Sequence, residues 1–389
     1  MFELRNPVQA YAWGSEDAIP ELLGTKDTGE PQAEMWLGAH KTSPSEVVGA
    51  GMGLDEFIAE YPETTGGKGL PFLMKVLAAA APLSLQVHPT KAQAEAGFER
   101  ENAEGVSLLS PLRNYKDANH KPEMLIALKP FSALCGFREP ADAADALTSL
   151  LGKHAQSPFA MKILDALASG DIKSAFLGIL EGGADARTFV RNLSDNADWQ
   201  DSVDASTVKL LSKIYKSDPG VAAALLLNRV ELAPGEAVFM NAGVVHAYLH
   251  GIGIECMATS DNVLRGGLTS KHIDIPELAK VVNFTPTVPT RVEPKHIGPV
   301  LEYQPPTDEF AVEDVRLEDV GYSEALKLVQ GPLLLLVLEG EAILREDAKE
   351  DLPGEETDLA LKRGESVFIP KDSTVFATAR SCRFVIAHV

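Results

Sequence analysis

The sequence predicts a mainly β protein that carries an α-helical insertion near its middle. Short apolar runs broken by Gly and Pro dominate residues 1–138 and the chain from residue 220 onward, whereas apolar residues at helical spacing dominate residues 139–219. The run LPFLMKVLAAAAPLSLQVHP reads as two buried strands joined by small residues. In the middle region, two sets of apolar residues each share one helical face: Phe159, Ile163, Leu164 and Leu167, and then Val208, Leu211, Ile214 and Tyr215.

An internal repeat indicates which β fold to expect. The segment ELAPGEAVFMNAGVVHAY, residues 231–248, parallels ALKRGESVFIPKDSTVFA, residues 360–377, without a gap. Each copy reads as a Gly turn, a buried strand, a second turn and another strand, which is part of a cupin-type jelly roll. We therefore predict two repeat-related jelly-roll barrels. His246 of the first copy aligns with Val375 of the second, so only the first barrel is expected to hold a metal.

Composition and charge limit the classes of protein to consider. The chain has 389 residues and a formal net charge of −21, which disfavours nucleic acid and anionic membranes as partners because both bind basic surfaces. The chain lacks the roughly 18 uninterrupted apolar residues of a membrane helix, and its start lacks a basic segment followed by an apolar signal core. A cytoplasmic location is therefore expected. The acidic run at residues 347–358 is expected to be a solvated loop.

The cysteines restrict the kind of metal site that is possible. They are few, odd in number and widely spaced, and they form no CxxC pair. This pattern argues against a disulfide framework and against a thiolate zinc site. The ligands of any bound metal are therefore expected to be nitrogen and oxygen atoms.

Four residues form a candidate ligand set. Gln86 and His88 have i, i+2 spacing at the end of an apolar run, which places them on one face of a strand. Lys121 and Glu123 share a face by the same rule, and His246 follows the turn of the first repeat. Gln, His, Glu and His suit zinc or another divalent ion. Spacing alone does not separate this interpretation from packed histidines and a surface glutamate.

Several longer motifs carry a resemblance to a known family. The strings NPVQAYAWG, AEMWLGAH, QVHPTK, NYKDANHKPEMLIAL, ALCGFR and PGEAVFMNAGVVHAYLHGIGIECMATSDNVLRGGLTSKH resemble, in order, the motifs of type I mannose-6-phosphate isomerases. The resemblance implies a zinc-dependent aldose-ketose isomerase that interconverts mannose 6-phosphate and fructose 6-phosphate through a cis-enediol. It implies one zinc ion per chain, bound by Gln86, His88, Glu123 and His246.

The resemblance also implies a domain organisation. The family has a catalytic β domain interrupted by a helical domain, followed by a jelly roll. Here these parts correspond to residues 1–138 plus 220–290, residues 139–219, and residues 291–389. The expected partner is a small sugar phosphate, and the expected assembly is a monomer or a weak homo-oligomer.

Further polar residues of the family's cleft transfer to positions in this chain. For acid and base chemistry the candidates are Lys121, Glu255, Asp261 and His120, with Arg265 stabilising negative charge. The substrate-binding candidates are Lys271, Ser84, Lys91, Trp13 and Tyr248. Trp13 also suits a core position and Lys91 a solvated surface. The family often has Ala-Gly at Gly266-Gly267 and Pro at Ser270, so a loop with more backbone freedom is expected.

Other functions are compatible with parts of this pattern. An oxygenase cupin would have a more His-rich ligand set and no need of Lys121, Arg265 and Lys271. A non-catalytic sugar-binding cupin would fit a protein without zinc. An isomerase of another aldose or aldose phosphate stays open within the same class.

Overall fold

The computed structural model describes residues 1–320, 325–328, 330–346 and 357–389. Most of the acidic run at residues 347–358 lies outside the described residues. The strands, in chain order, are β1 Phe2–Arg5, β2 Val8–Gln9, β3 Glu34–Leu37, β4 Glu46–Val47, β5 Met52–Gly53, β6 Phe72–Ala79, β7 Leu85–Val87, β8 Glu123–Ala127, β9 Phe131–Phe137, β10 Leu227–Leu232, β11 Ala237–Met240, β12 His246–Ala258, β13 Leu264–Gly267, β14 Thr290–Arg291, β15 Lys295–Ile297, β16 Val300–Tyr303, β17 Ala311–Val320, β18 Leu326–Lys327, β19 Leu333–Glu346, β20 Asp358–Lys362, β21 Ser366–Ile369 and β22 Val375–His388.

The helices concentrate between β9 and β10. They are α1 Ala18–Leu23, α2 Leu54–Glu60, α3 Lys91–Ala103, α4 Pro140–Leu151, α5 Pro158–Ala168, α6 Ile172–Glu181, α7 Gly183–Ala197, α8 Val203–Tyr215, α9 Gly220–Ala223 and α10 Ile275–Val281. Side-chain caps begin several of them, including a Thr90 capping box at α3 and Ser157, Asp171 and Ser202 at α5, α6 and α8. Within the described residues, no helix is both long and apolar enough to cross a membrane.

The central sheet is antiparallel and is organised around the long strand β12. Its main path runs β14-β11-β8-β12-β6-β3-β2; β7 and β9 also pair with β12, and they in turn pair with β13 and β10, respectively. The first residue of β12, His246, pairs with Gln86 on one side and Cys135 on the other. Farther along β12, Glu255 pairs with Lys75 and Leu125. One strand therefore carries polar residues at both its beginning and its far end.

The C-terminal sheet is also antiparallel and takes in the start of the chain. Its main path runs β15-β16-β17-β22-β19-β21-β1-β4-β5, with β18 on β22 and β20 on β19. Strand β1 pairs with β21, so Phe2 lies opposite Phe368. A shared apolar core packs between the two sheets, and it includes Phe2, Phe72, Val76, Ile126, Phe239, Ile254, Leu334 and Phe368.

The two copies of the sequence repeat form the same succession of elements. Residues 231–248 contain the end of β10, all of β11 and the start of β12, and residues 360–377 contain the matching parts of β20, β21 and β22. The turn glycines have φ values of +88° at Gly235 and +87° at Gly364, which glycine adopts without steric cost. His246 and Val375 each begin the long strand of their copy.

The helical region packs on the central sheet through a large apolar core. Leu147, Ile163, Phe176 and Leu211 are buried there against Leu85, Val87 and Phe137 of the sheet. The mainly β architecture with a helical region in mid-chain is thus confirmed. The two strands read from the apolar run before His88 are β6 and β7.

Candidate metal centre and active-site cleft

Three residues from three strand ends converge on one buried point. The Nε2 atoms of His88 and His246 lie 3.3 Å and 3.1 Å from the same carboxylate oxygen, Oε2 of Glu123. His88 follows β7, Glu123 begins β8 and His246 begins β12. Their ligand atoms all lie within 4.8 Å of one another, and among the described residues they form the one such group of His, Cys, Asp and Glu side chains. Two imidazole nitrogens and a carboxylate suit a zinc site.

Both histidines are oriented by backbone carbonyls. Nδ1 of His88 lies 2.7 Å from the carbonyl oxygen of Asn262, and Nδ1 of His246 lies 2.9 Å from that of Val244. Because a carbonyl only accepts, each Nδ1 carries a proton, and each Nε2 is left directed at Glu123 as the atom available to a metal ion. Burial lowers the pKa of His88, which favours the neutral imidazole that binds a metal. The set therefore fits a divalent ion.

Glu123 stays ionised although it is buried. Burial acts to raise its pKa, but Lys121 and His88 lower the pKa well below its usual range. The Lys121 ammonium lies 2.9 Å from the second carboxylate oxygen, Oε1. The sequence prediction that Lys121 and Glu123 share a face agrees with this contact.

Gln86 lies between the histidine cluster and a cationic segment. It is the cross-strand partner of His246 in β12 and of Arg265 in β13. Residues directly opposite in a ladder project from the same face of the sheet. The ladder therefore brings Gln86, His246 and Arg265 together on one face, and the ligand role of Gln86 stays a prediction.

A buried ion-pair cluster lies farther along β12. The Lys75 ammonium is 3.0 Å from Glu255 and 3.5 Å from Glu34, and the Lys75 and Glu255 side chains are 6% and 4% exposed. Burial raises the pKa of Glu255, and the neighbouring Glu123 carboxylate raises it further, while Lys75 opposes both. Sequence analysis named Glu255 but missed Lys75, which stands inside the apolar run FLMKVLAA. A charged residue in a buried strand is the signal that could have revealed it.

Asp261 is held by a histidine from the N-terminal region. Nε2 of His40 lies 3.3 Å from Asp261 Oδ1, and Nδ1 of His40 lies 3.0 Å from the Thr42 hydroxyl. The hydrogen bond from His40 lowers the pKa of Asp261. Asp261 is therefore ionised near neutral pH, which suits an acceptor of hydrogen bonds.

The cationic candidates lie in β13 and on the loop that follows it. We call residues 265–271, RGGLTSK, the cation loop. Burial lowers the pKa of Arg265, and the neighbouring Arg265 charge lowers the pKa of Lys271. A local pair of cations in a chain of net charge −21 is expected of a site for an anion.

His120 has a partner that the sequence did not suggest. Its Nε2 contacts the carboxylate of Glu309, and the Thr307 hydroxyl contacts the other oxygen of that carboxylate. Glu309 precedes β17, the strand that begins at Ala311, and so reaches the site from the far end of the chain. No spacing rule links residues 189 positions apart.

The remaining candidates differ in their surroundings. Tyr248 is buried and its ring packs edge-on against Phe131, with centroids 5.4 Å apart. Trp13 is half-buried and stacks on Tyr11.

The two polar candidates lie on either side of β7. Lys91 begins α3 and its ammonium donates to Asn119 over 3.0 Å. Ser84 is half-buried just before β7. The roles of all these candidates toward a substrate stay predictions.

These features define a metal-binding site with cationic groups beside it. A family model described as phosphomannose isomerase type I, catalytic domain, matches residues 1–140. Mannose-6-phosphate isomerase of Salmonella typhimurium is 40% identical over 398 residues, covering 96% of each chain. The human protein of the same name is 32% identical over 419 residues, covering 96% of this chain and 94% of its own. The chain belongs to the mannose-6-phosphate isomerase family.

Solved structures of this family share the whole fold. A point variant of phosphomannose isomerase from Salmonella typhimurium superposes with a TM-score of 0.89 at 38% identity, covering 100% of this chain and 99% of the other. A zinc-bound holo structure of mannose 6-phosphate isomerase superposes with a TM-score of 0.87 at 37% identity, covering 100% and 98%. The likeness therefore extends over both sheets and the helical region.

Proposed function

We propose that this chain is a zinc-dependent isomerase that interconverts mannose 6-phosphate and fructose 6-phosphate. The observation that carries the proposal is the pair of buried histidines whose Nε2 atoms converge on one Glu123 oxygen, in a chain of this family. One zinc ion would be held by His88, Glu123 and His246, with Gln86 as the proposed fourth ligand. When bound, the ion supplies Lewis-acid stabilisation of the substrate oxygens at C1 and C2.

The reaction needs a base and an acid as well as an electrophile. A proton must leave C2 of the open-chain aldose and return to C1, which implies a cis-enediol between the two sugars. Lys121, Glu255 and Asp261 are the proposed acid and base set, with His120 beside them. Glu255 is suited to proton exchange because burial raises its pKa, whereas the lowered pKa of Asp261 keeps it ionised but makes it the weaker base of the two.

The cation loop is proposed to bind the anionic parts of the substrate. Arg265 is assigned to the negative charge that develops on the enediolate oxygens, since a guanidinium offers two parallel donors. Lys271 is assigned to the phosphate. Ser84, Lys91, Trp13 and Tyr248 are proposed to line the sugar.

The proposal includes a fold assignment. We assign each sheet with its repeat copy to a cupin-type jelly roll, and we divide the chain into residues 1–138 plus 220–290, residues 139–219, and residues 291–389. The matching element order of the two copies supports the barrels. A cytoplasmic monomer or weak homo-oligomer remains our prediction.

Substrate comparison tests the proposed function directly. We expect rapid conversion of mannose 6-phosphate and at least about a hundredfold lower kcat/KM with mannose, because the phosphate contacts of the cation loop are lost. In deuterated water, mass spectrometry should find solvent deuterium at C1 of fructose 6-phosphate. Equal rates with both sugars would contradict the phosphate assignment, and a complete absence of label would favour a hydride shift.

A further inference from the structure

A carboxylate at the end of the helical region accepts hydrogen bonds from the backbone of the cation loop. Oδ1 of Asp218 accepts from the backbone N–H of Leu268 over 3.1 Å, and Oδ2 accepts from that of Thr269 over 3.3 Å. The same Oδ1 accepts from Gly220 N–H over 2.7 Å. The Gly220 bond is a local turn, but Leu268 lies 50 residues from Asp218 along the chain. Asp218 therefore joins two segments that the sequence keeps apart.

Two glycines allow the close backbone approach that these hydrogen bonds require. A Cβ atom on Gly267 would lie 2.6 Å from Gly220 Cα, and one on Gly220 would lie 2.4 Å from Leu268 N. Such distances exclude a side chain at either position without backbone movement. Leu268 itself has φ +54°, a left-handed conformation that costs a non-glycine residue about 1 kcal/mol or more. The two bonds to Asp218 offset the strain of that turn.

The two residues that Asp218 binds, Leu268 and Thr269, lie between the two cations of the loop. Arg265 precedes them and is fixed independently, because β13 pairs it with Gln86. Lys271 follows them, two residues after Thr269, and its own backbone N–H donates to the Thr269 hydroxyl over 3.0 Å. The direction of Lys271 therefore depends on the turn that Asp218 holds, whereas that of Arg265 depends on the ladder.

We propose that Asp218 is a positioning residue that fixes the turn of the cation loop and so places Lys271 for the phosphate of the substrate. The substrate part of this inference rests on the proposed function. It gives the helical region a role at the site, since Asp218 lies on the segment that leaves α8 after Tyr215. The nearby Tyr215 hydroxyl, at the end of α8, donates to the Pro82 carbonyl over 2.6 Å, so the same segment also contacts the chain leading to β7.

Three variants test the proposal. Asp218→Ala removes every bond to the loop, while Asp218→Asn keeps a carbonyl for Gly220 and Leu268 but turns an amide group toward Thr269 N–H. Asp171→Ala is the matched control, because Asp171 also accepts a backbone N–H, that of Ser174 at 2.9 Å, at the start of a helix in the same region. All three are compared with the full wild-type chain.

The first readout is independent of catalysis. Trypsin cleaves after Lys271 and Arg265, and cleavage of native protein reports local opening of the loop. We expect Asp218→Ala to be cut after Lys271 at least about tenfold faster than wild type, Asp218→Asn to be intermediate, and Asp171→Ala to be unchanged. Mass spectrometry of early time points identifies the cut. Equal cleavage in all four proteins would overturn the proposal.

The second readout separates positioning from general damage. We expect Asp218→Ala to raise KM for mannose 6-phosphate about tenfold while kcat changes less than about threefold, since Arg265 keeps its place. Zinc content should stay at the wild-type value. A fall in kcat with KM unchanged would overturn the assignment to Lys271. If Asp218→Ala does not fold, Asp218→Asn is judged by the same two measurements. If the wild type does not convert the sugar phosphate, the proposed function is wrong, but the cleavage result still tests whether Asp218 holds the loop.

Discussion

His88 and His246 show how single residues acquire a defined protonation state. Each Nδ1–H donates to a backbone carbonyl, and each Nε2 faces Glu123. Burial lowers the pKa of His88, so removing the carboxylate or a carbonyl partner would disturb both the charge and the direction of the ring. The metal chemistry proposed here depends on these few contacts.

Removing both histidines should abolish metal binding and turnover. The double variant His88→Ala/His246→Ala loses two of the proposed ligands, so we expect less than about 10% of the wild-type zinc and a loss of kcat/KM of at least about a thousandfold. Zinc is measured by atomic emission and turnover by a coupled assay. His250→Ala is the control, because His250 is exposed on the same strand, β12. Full activity in the double variant would contradict the assignment.

The two cations of the loop should respond differently to truncation. Arg265→Ala is expected to lower kcat by roughly a hundredfold or more, in line with about 3 kcal/mol for a lost charge-stabilising donor. Lys271→Ala is expected chiefly to raise KM, since its proposed contact with phosphate would be the same in ground and transition states. Lys295→Ala, an exposed lysine of the C-terminal sheet, serves as the control. An unchanged kcat in Arg265→Ala would remove its role toward the enediolate.

Among the elements, β12 and β22 occupy the same position in the two copies of the repeat, but only β12 begins with a proposed metal ligand. His246 begins one, and Val375, only 2% exposed, begins the other. The gapless alignment of the two copies predicted this equivalence, because turn glycines and alternating apolar residues are local signals. The partners of buried charges are not local: Lys75 and Glu255 are 180 residues apart, and only the pairing of β6 with β12 brings them together.

Val375 should matter for stability and not for catalysis. Val375→Ala removes two buried methyl groups, and we expect a loss of about 1–3 kcal/mol in the free energy of unfolding. Denaturant unfolding measures it, with Val203→Ala as the control because Val203 is 60% exposed. The values of kcat and zinc content should equal those of the wild type. A loss of catalysis at undiminished stability would show that the second copy does contribute to the site.

Glu313 should make the C-terminal sheet less stable at alkaline pH. Burial, together with Glu302 opposite it in the ladder, raises the pKa of Glu313 to about 7. Between about pH 4.5 and 7 the folded chain keeps a proton that the unfolded chain has released, so stability falls as pH rises through this window. We expect Glu313→Gln to be more stable than wild type by about 1–3 kcal/mol at pH 8 and nearly equal to it at pH 4.

Thermal unfolding at both pH values checks this dependence. Glu341→Gln, an exposed glutamate of β19, is the matched control and should show no such difference between the two pH values. An equal gain at pH 4 and pH 8 for Glu313→Gln would mean that ionisation is not the cause.

At the scale of the whole molecule, the site is assembled from distant parts of the chain. Glu123, His246 and the cation loop were found from motifs, because those motifs are contiguous in sequence. Lys75, Glu309 and Asp218 were not found, since each acts through a partner on another element. A buried lysine inside an apolar strand was the one local signal among these three. The molecule is strongly acidic, and its anionic substrate is proposed to bind where the cation loop counters that charge.

Zinc titration of the metal-free protein tests the central claim most directly. Chelation followed by dialysis gives the apoprotein, and zinc is then added in known equivalents while conversion of mannose 6-phosphate to fructose 6-phosphate is recorded. We expect no turnover without metal, a linear rise with added zinc, and a plateau at one equivalent per chain, because His88, Glu123 and His246 converge on a single point. Full turnover of the metal-free protein, or a plateau at two equivalents, would contradict the account.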